Sequence, residues 1–358
     1  MPLNQADKQQ HFSTAVLDWF NQNGRKHLPW QQDPSPYRVW VSEIMLQQTQ
    51  VATVIPYYER FIRRFTDVSV LAQASQDEVL HYWTGLGYYA RARNLHKTAK
   101  IIDEQYQGQF PDSVEALGEL PGIGRSTAGA IVALAFNKRA VILDGNVKRV
   151  LCRYHCIEGW PDQSQTQKQL WQIAEQYTPE KDFRSYTQAM MDLGATVCTR
   201  SSPRCSECPL QDSCEAFLSS RCDQFPQRKP RKSLPLKSTR MLILLSPDKS
   251  RVLLEKRPPQ GIWGGLWSFP ELQEEIQVQD YLDQYGFKAA GNTLAMGEIL
   301  HTFSHFQLNI RPLVKKLRQE PSSIMEKPDW HWYDLQKPQQ LGLAAPIKTL
   351  LAQVEEQL

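Results

Sequence analysis

Apolar residues change their spacing part-way along this 358-residue chain, and that change limits the folds open to it. Before residue 225 they recur every third or fourth position. Phe12, Ala15, Val16, Trp19 and Phe20 share one helical face, with Gly24 as a stop. The same period returns at Val39 to Val54, Val114 to Leu120, Ser126 to Ala135, Val147 to Tyr154, Leu170 to Tyr177 and Phe183 to Val197. An all-α half is expected. Beyond residue 240 the texture is different. "TRMLILL" and "SRVLLEKR" flank the turn-like "SPDKS", "FQLNIRPLVKKL" includes alternating apolar residues, and helical patterns lie near 272 to 285 and 346 to 357. That half is expected to be α+β. Between them "FPQRKPRKSLPLKSTR", residues 225 to 240, has six basic residues, three prolines and no acid, and reads as an extended linker. The expected division is a helical domain over 1–222, a basic linker over 223–238 and an α+β domain over 239–358.

This length exceeds that of a typical single core. Hydrophobic content of 41% is ordinary for a soluble globular protein. No apolar run approaches the roughly 18–20 residues that cross a bilayer, and "MPLNQADKQQHF" lacks the apolar core of a signal peptide, so a cytoplasmic location is expected. No long heptad pattern is present, and a monomer is expected. The formal charge of +3 is too small to imply a nucleic-acid partner by itself, so its distribution matters more. The stretch "VLHYWTGLGYYARARNLHKTAKII" interleaves Arg91, Arg93, Lys97 and Lys100 with Tyr82, Trp83, Tyr88 and Tyr89, without an acid. Such a surface suits nucleic acid. It equally describes a solvated helix face with core aromatics behind it.

Four of the seven cysteines, Cys198, Cys205, Cys208 and Cys214, form a C-x6-C-x2-C-x5-C window. In a cytoplasmic chain this favours a metal centre over disulfides, and four thiolates suit tetrahedral zinc or an iron–sulfur cluster. Spacing alone leaves both open. Cys152, Cys156 and Cys222 read as buried or free thiols.

"ELPGIGRSTAGA", residues 119 to 130, describes a Gly-x-Gly hairpin between two helices, where bare backbone N–H groups can meet a phosphate. Beyond it, in "AVILDGNVKRVLCR", Asp144 precedes Asn146, which is placed to cap a helix beginning at Val147. A carboxylate beside a helix N-terminus is stabilised as the anion, so Asp144 is expected to be ionised. Glu43, in "YRVWVSEIMLQQTQVATV", has Val39 and Trp40 one turn before it and Leu46 one turn after. Desolvation on that face is expected to keep it protonated. Together the two carboxyls make the acid and anion that breaking a glycosidic bond requires.

The Glu43 segment, the hairpin over 120–126, "LDGNVKRV" and the four cysteines occur in an order and spacing that closely resemble the MutY-type adenine DNA glycosylases of the endonuclease III superfamily, whose hairpin is the helix-hairpin-helix motif. The resemblance covers nearly the whole chain. It implies one 4Fe-4S cluster on Cys198, Cys205, Cys208 and Cys214, and base excision of adenine mispaired with 8-oxoguanine or guanine in double-stranded DNA. Glu43 would protonate the flipped-out base, Asp144 would stabilise the developing sugar cation, and Asn146 would orient Asp144. Relatives that also cleave the strand carry a hairpin lysine where this chain has Ser126, so a monofunctional enzyme without strong lyase activity is implied. The DNA contacts implied are Gln48 and Tyr88 as intercalating residues, Leu46, Gln47 and Thr49 beside the opening, and Gly122, Gly124, Arg125, Ser126 and Lys148 on the backbone. Trp30 and Gln188 match the base pocket. In "LHTFSHFQLNI", Phe303, Ser304 and His305 match the 8-oxoguanine-reading motif. The C-terminal domain resembles Nudix hydrolases, but Glu271, Glu274 and Glu275 do not form that fold's Arg-Glu-x-x-Glu-Glu signature, so a recognition module without hydrolase activity is expected. Such a protein works at the nucleoid.

Overall fold

A computed structural model describes residues 5–230, 233–319 and 327–357. In chain order its helices begin with α1 (Gln5–Asn23), α2 (Pro36–Leu46), α3 (Val51–Arg64), α4 (Val68–Gln73), α5 (Gln76–Trp83) and α6 (Ala90–Tyr106). There follow α7 (Val114–Gly118), α8 (Arg125–Phe136), α9 (Gly145–Tyr154), α10 (Ser164–Tyr177), α11 (Phe183–Asp192) and α12 (Glu215–Leu218). Helices α13 (Val278–Gln284) and α14 (Ala345–Gln357) lie in the second half. The all-α and α+β textures are thus both realised. One predicted helix is split, however. The pattern over Val39 to Val54 is interrupted between α2 and α3, where Gln48 takes a left-handed φ of 57°. Apolar residues continue across the break, because α3 buries a face of Val54, Tyr58 and Phe61 directly after the largely buried α2.

The chain forms two compact units that do not follow the division read from the sequence. The first comprises Met1–Gln73 with Asn94–Pro230, and the second comprises Ala74–Arg93 with Arg231–Leu358. In the first, α8 packs on α2, α7 and α11, while α1 packs on α10 and α11. Phe12, Trp40, Phe61, Leu95 and Ile131 are among its fully buried side chains. Gly129 allows α8 its position, since a Cβ there would lie 2.3 Å from the Val141 carbonyl oxygen. Only a residue without a side chain lets the helix press so closely on the extended stretch leading to Asp144.

The second unit holds one sheet of β1 (Leu236–Leu245), β2 (Arg251–Lys256), β3 (Trp267–Ser268), β4 (Glu271–Leu272), β5 (Ala289–Ala295), β6 (Ile299–Thr302), β7 (Gln307–Leu317) and β8 (Trp330–Asp334). The main order is β3-β2-β1-β7-β5, with β4 also on β1, β6 on β7 and β8 on β2. β1 and β7 run parallel from Leu236↔Gln307 to Leu245↔Lys316, and the other pairings are antiparallel. Leu242, Leu244, Leu253, Leu272 and Phe287 form its core. The segment 74–93, read as part of the helical domain, packs here. Arg93 Nη1 donates to Gly264 O at 2.6 Å, Tyr89 Oη to Leu343 O at 3.2 Å, and Lys256 pairs with Asp77 at 2.9 Å. A Cβ on Gly342 would lie 2.6 Å from Leu80 Cβ.

The linker is also shorter than 223–238. Phe225 is 2% exposed, and Leu236, Lys237 and Ser238 already pair with β7. An apolar ring at one end and ladder hydrogen bonds at the other outweigh the proline-rich composition between them.

Candidate functional site

Asp144 ends the extended stretch before α9 and caps that helix itself. Its Oδ1 accepts from Val147 N at 2.8 Å, and its Oδ2 accepts from Asn146 Nδ2 at 2.9 Å. The cap is therefore Asp144 and not Asn146, because the helix begins at Gly145 and places Asn146 inside the first turn. Asn146 is fixed in turn by Arg149, whose Nη2 donates to Asn146 Oδ1 at 2.8 Å and to Gly194 O at 2.6 Å. Arg149 Nε donates to Cys198 O at 2.7 Å, so one guanidinium ties the Asp144 network to the start of the cysteine window. A side chain on Gly194 would strike Asn146, 2.5 Å from its Cβ.

Ser126 stands on the other side of the same stretch, and its Oγ accepts from Leu143 N at 2.9 Å. The hairpin serine thus holds the backbone one residue before Asp144. Gly122 turns the hairpin with φ of 80°, and Gly124, the N-cap of α8, has nothing within 4 Å of its Cβ direction. Arg125 lies over Trp171, 3.9 Å from the ring centroid.

Glu43 sits on α2 among Val39, Trp40, Ile44 and Met45, all at most 3% exposed. Burial pushes its carboxyl up to about 8, and the charge of Asp144 adds to the rise. Asp144 is also raised by burial, opposed by hydrogen bonds from Val147 and Asn146 and by the charge of Arg149. That net direction corrects the sequence expectation, which counted the helix terminus but not the desolvation around it. Asp144 has three groups that favour the anion, while among the described residues Glu43 has no hydrogen-bond partner in the protein. The charge of Asp144 raises Glu43 further, while the donors and the guanidinium around Asp144 hold its own rise back.

A cavity of about 210 Å³ opens nearby in the same unit, walled by Trp30, Gln188, Arg25, Val39, Ser42 and Leu134 among others. Ser42 precedes Glu43, which is not itself a wall. Trp30 is 5% exposed and meets Tyr58 edge to face at 5.4 Å. Gln188 Nε2 donates to Asp192 Oδ1 at 2.9 Å, and the fully buried Asp192 accepts from Arg25 through its backbone N and guanidinium at 2.6–3.0 Å. A carboxylate only accepts, so it holds the amide nitrogen and leaves the Gln188 carbonyl oxygen as the other polar end. Arg25, Asp192 and Arg149 escaped the sequence reading. The Gln188/Asp192 spacing of four on a helix was the available signal.

The remaining candidates divide between the units. Leu46 ends α2, and Gln47, Gln48 and Thr49 form the loop after it, with Gln47 Nε2 3.4 Å from Thr127 Oγ1. Gln48 is exposed. Lys148, expected on a phosphate, pairs with Asp162 at 2.6 Å, because the exposed carboxylate is within reach of its stem. Tyr88 belongs to the second unit, is 49% exposed and has φ of 50° between Gly87 and α6. Phe303, Ser304 and His305 form the tip between β6 and β7. Phe303 stacks on Phe306 at 4.5 Å and neighbours Trp263 at 5.7 Å, and Ser304 Oγ lies 3.3 Å from His305 Nδ1, both exposed. Glu271 lies in β4 against Arg257, and Glu274 and Glu275 lie in the turn before α13, so the three do not form a helical acidic set.

Cys198, Cys205, Cys208 and Cys214 line one cavity, and so does Cys222. The buried Arg153 holds this region. Its guanidinium donates to Thr199 O at 2.7 Å and Arg200 O at 3.2 Å, to Cys222 O and Phe225 O at 2.9 Å, and lies 3.3 Å from Cys198 Sγ. Among the described residues no three His, Cys, Asp or Glu side chains converge on a single-ion position. Thiols around one cavity but not drawn to one point fit a multi-iron group better than a lone zinc.

Comparison with known proteins accords with this geometry. The chain is 41% identical over 341 residues to the adenine DNA glycosylase of Buchnera aphidicola subsp. Acyrthosiphon pisum (strain APS), covering 95% of this chain and 96% of that one. The chain belongs to the adenine DNA glycosylase family. The human relative is 36% identical, with 83% of this chain and 65% of that one covered. Within this family member, residues 41–176 match the profile of the HhH-GPD superfamily base excision DNA repair protein, 198–214 the iron-sulfur binding domain of endonuclease III, and 240–353 the NUDIX domain. All four window cysteines fall within the segment that matches that iron–sulfur binding domain. A thermostable thymine-DNA glycosylase structure is similar with a TM-score of 0.54 and 27% identity, over 60% of this chain and 98% of that one.

Proposed function

We propose that the chain is a monofunctional glycosylase that hydrolyses the N-glycosidic bond of adenine paired with 8-oxoguanine or guanine in duplex DNA. The observation that carries this reading is a pair of buried carboxyls with different partners, Glu43 pushed up to about 8 and without a hydrogen-bond partner among the described residues, and Asp144 raised less freely because two donors and a nearby guanidinium favour its anion. Glu43 gives its proton to N7 of a flipped-out adenine, and the C1′–N9 bond breaks as the base leaves neutral. Asp144 faces the sugar cation with its charge, oriented by Asn146. Water adds to C1′, and Glu43 takes up the proton released. Extrusion costs a few kcal/mol of stacking and pairing. Gln48 and Tyr88 fill the gap, beside Leu46, Gln47 and Thr49. Gly122, Gly124 and Arg125 hold phosphates, joined by Lys148 once Asp162 releases it.

The 210 Å³ cavity receives the base, being smaller than the roughly 300–1,000 Å³ clefts of drug-sized ligands. With its nitrogen held by Asp192, Gln188 offers a carbonyl oxygen, which accepts from the 6-amino group of adenine and repels the 6-oxo group of guanine. Phe303, Ser304 and His305 read the 8-oxoguanine. Ser126 has no amine for an imine with the sugar, and its hydroxyl is engaged with Leu143 N, so the product is an intact abasic strand. Cys198, Cys205, Cys208 and Cys214 hold one 4Fe-4S cluster, which braces the loop that Arg149 and Arg153 grip. The enzyme acts as a monomer on nucleoid DNA in the cytoplasm.

The test is single-turnover reaction on a duplex with adenine opposite 8-oxoguanine, scoring free adenine and strand breaks with and without hot alkali. Adenine release with breaks only after alkali supports the reading. Breaks without alkali make the enzyme a lyase, and tight binding without release makes it a recognition module.

A further inference from the structure

Cys222 lies outside the matched window of 198–214, yet its Sγ is 3.8 Å from Cys205 Sγ and it lines the same cavity as the four window cysteines. That separation is far from the ~2.05 Å of a disulfide. It is a van der Waals contact between the two sulfurs, which places each thiol within a side-chain rotation of the other's position. The placement is built into the fold. Arg153 Nε donates to the carbonyls of Cys222 and Phe225, while Nη1 of the same guanidinium lies 3.3 Å from Cys198 Sγ and donates to Thr199 O. Arg153 is 3% exposed, and Phe225 is 2% exposed, so the Cys222 backbone is fastened to the same buried cation as the start of the cysteine window.

We propose that Cys222 is a reserve ligand of the iron–sulfur site, able to take over the iron of Cys205 when that thiolate is lost. In the exchange the iron–sulfur bond to Cys205 breaks, Cys222 releases its thiol proton to solvent, and its sulfur bonds the same iron. No electron is transferred and no oxidant is needed. A short side-chain rotation is all the move requires, because the two sulfurs already touch. The inference rests on the reading of Cys198, Cys205, Cys208 and Cys214 as cluster ligands, and the experiment separates the two.

Iron, acid-labile sulfide and broad visible absorbance are measured on the purified full chain and on Cys205→Ala, Cys208→Ala, Cys222→Ala and Cys205→Ala/Cys222→Ala. Alanine is used because a serine oxygen can itself bind iron. Cys205→Ala is expected to keep about half or more of the wild-type iron, and the double variant and Cys208→Ala roughly a tenth or less. Equal loss in Cys205→Ala and the double variant overturns the proposal, as does full iron in the double variant. Iron-free wild type would instead overturn the cluster reading. Should Cys205→Ala not accumulate in soluble form, Cys222→Ala decides. Its iron should pass to a ferrous chelator several-fold faster than from wild type, where Cys222 recaptures an iron that Cys205 lets go, and equal rates overturn the proposal.

Discussion

Glu43 and Asp144 carry the same functional group in different surroundings, the first without a hydrogen-bond partner among the described residues and the second held by Val147 and Asn146. A Glu43 carboxyl raised to about 8 keeps its proton at neutral pH and loses it above. The single-turnover rate should therefore be level up to about pH 8 and fall by about tenfold per unit beyond it. Glu43→Gln should lower the rate at every pH by on the order of 10³-fold or more and remove that limb, with duplex binding retained. The stability sign is the opposite of an ion-paired acid. The folded protein holds a proton that the unfolded chain loses near its ordinary value, so stability from this group is complete below about pH 4.5 and declines as pH rises to about 8. Asp144 also caps α9. Asp144→Asn, which keeps an accepting oxygen, should abolish release at nearly unchanged urea midpoint, whereas Asp144→Ala should also cost about 1 kcal/mol. A variant of either kind with most of its rate would remove Asp144 from the chemistry.

Helices α8 and α9 meet at the stretch that delivers Asp144, and two small residues make that meeting possible. Gly129→Ala places a methyl 2.3 Å from the Val141 carbonyl, a backbone atom that cannot swing aside. The variant should lose about 1–3 kcal/mol in urea unfolding and, because Asp144 moves with the extended stretch, release adenine more slowly. Ser126→Ala leaves the N–H of Leu143 without its acceptor, at a cost of about 1–3 kcal/mol, and a variant as stable as wild type would show that water replaces the hydroxyl. These elements were visible as patterns, since α8 and α9 have the composition and start signals of helices. The break after α2 was not. The Val39 to Val54 period runs through it, and the left-handed Gln48 leaves no mark in a sequence that has glutamines on both sides.

Two compact units share the chain in a way that its length and linker do not suggest. Residues 74–93 give Asp77, His81, Tyr89 and Arg93 to polar contacts with residues beyond 231, and Leu80 backs onto Gly342. A fragment ending at residue 230 should thus be less stable than the helical part of the full chain, by on the order of 2 kcal/mol or more for four contacts of roughly 0.5–1.5 kcal/mol each. Chemical denaturation followed through the cluster absorbance measures it, and an unchanged midpoint would mean that these contacts add nothing.

The hairpin, the Asp144 stretch, the four-cysteine window and the change from helical to alternating periodicity were all readable along the chain, because each is set by residues within a turn or a strand of one another. The Gln188–Asp192–Arg25 network, the Arg149 bridge from Asn146 to Cys198, the fifth thiol beside Cys205 and the docking of 74–93 were settled only by folding. Each joins groups far apart in sequence or depends on burial, and desolvation, as at Asp144 and Glu43, is a property of everything that packs around a group and not of its neighbours along the chain.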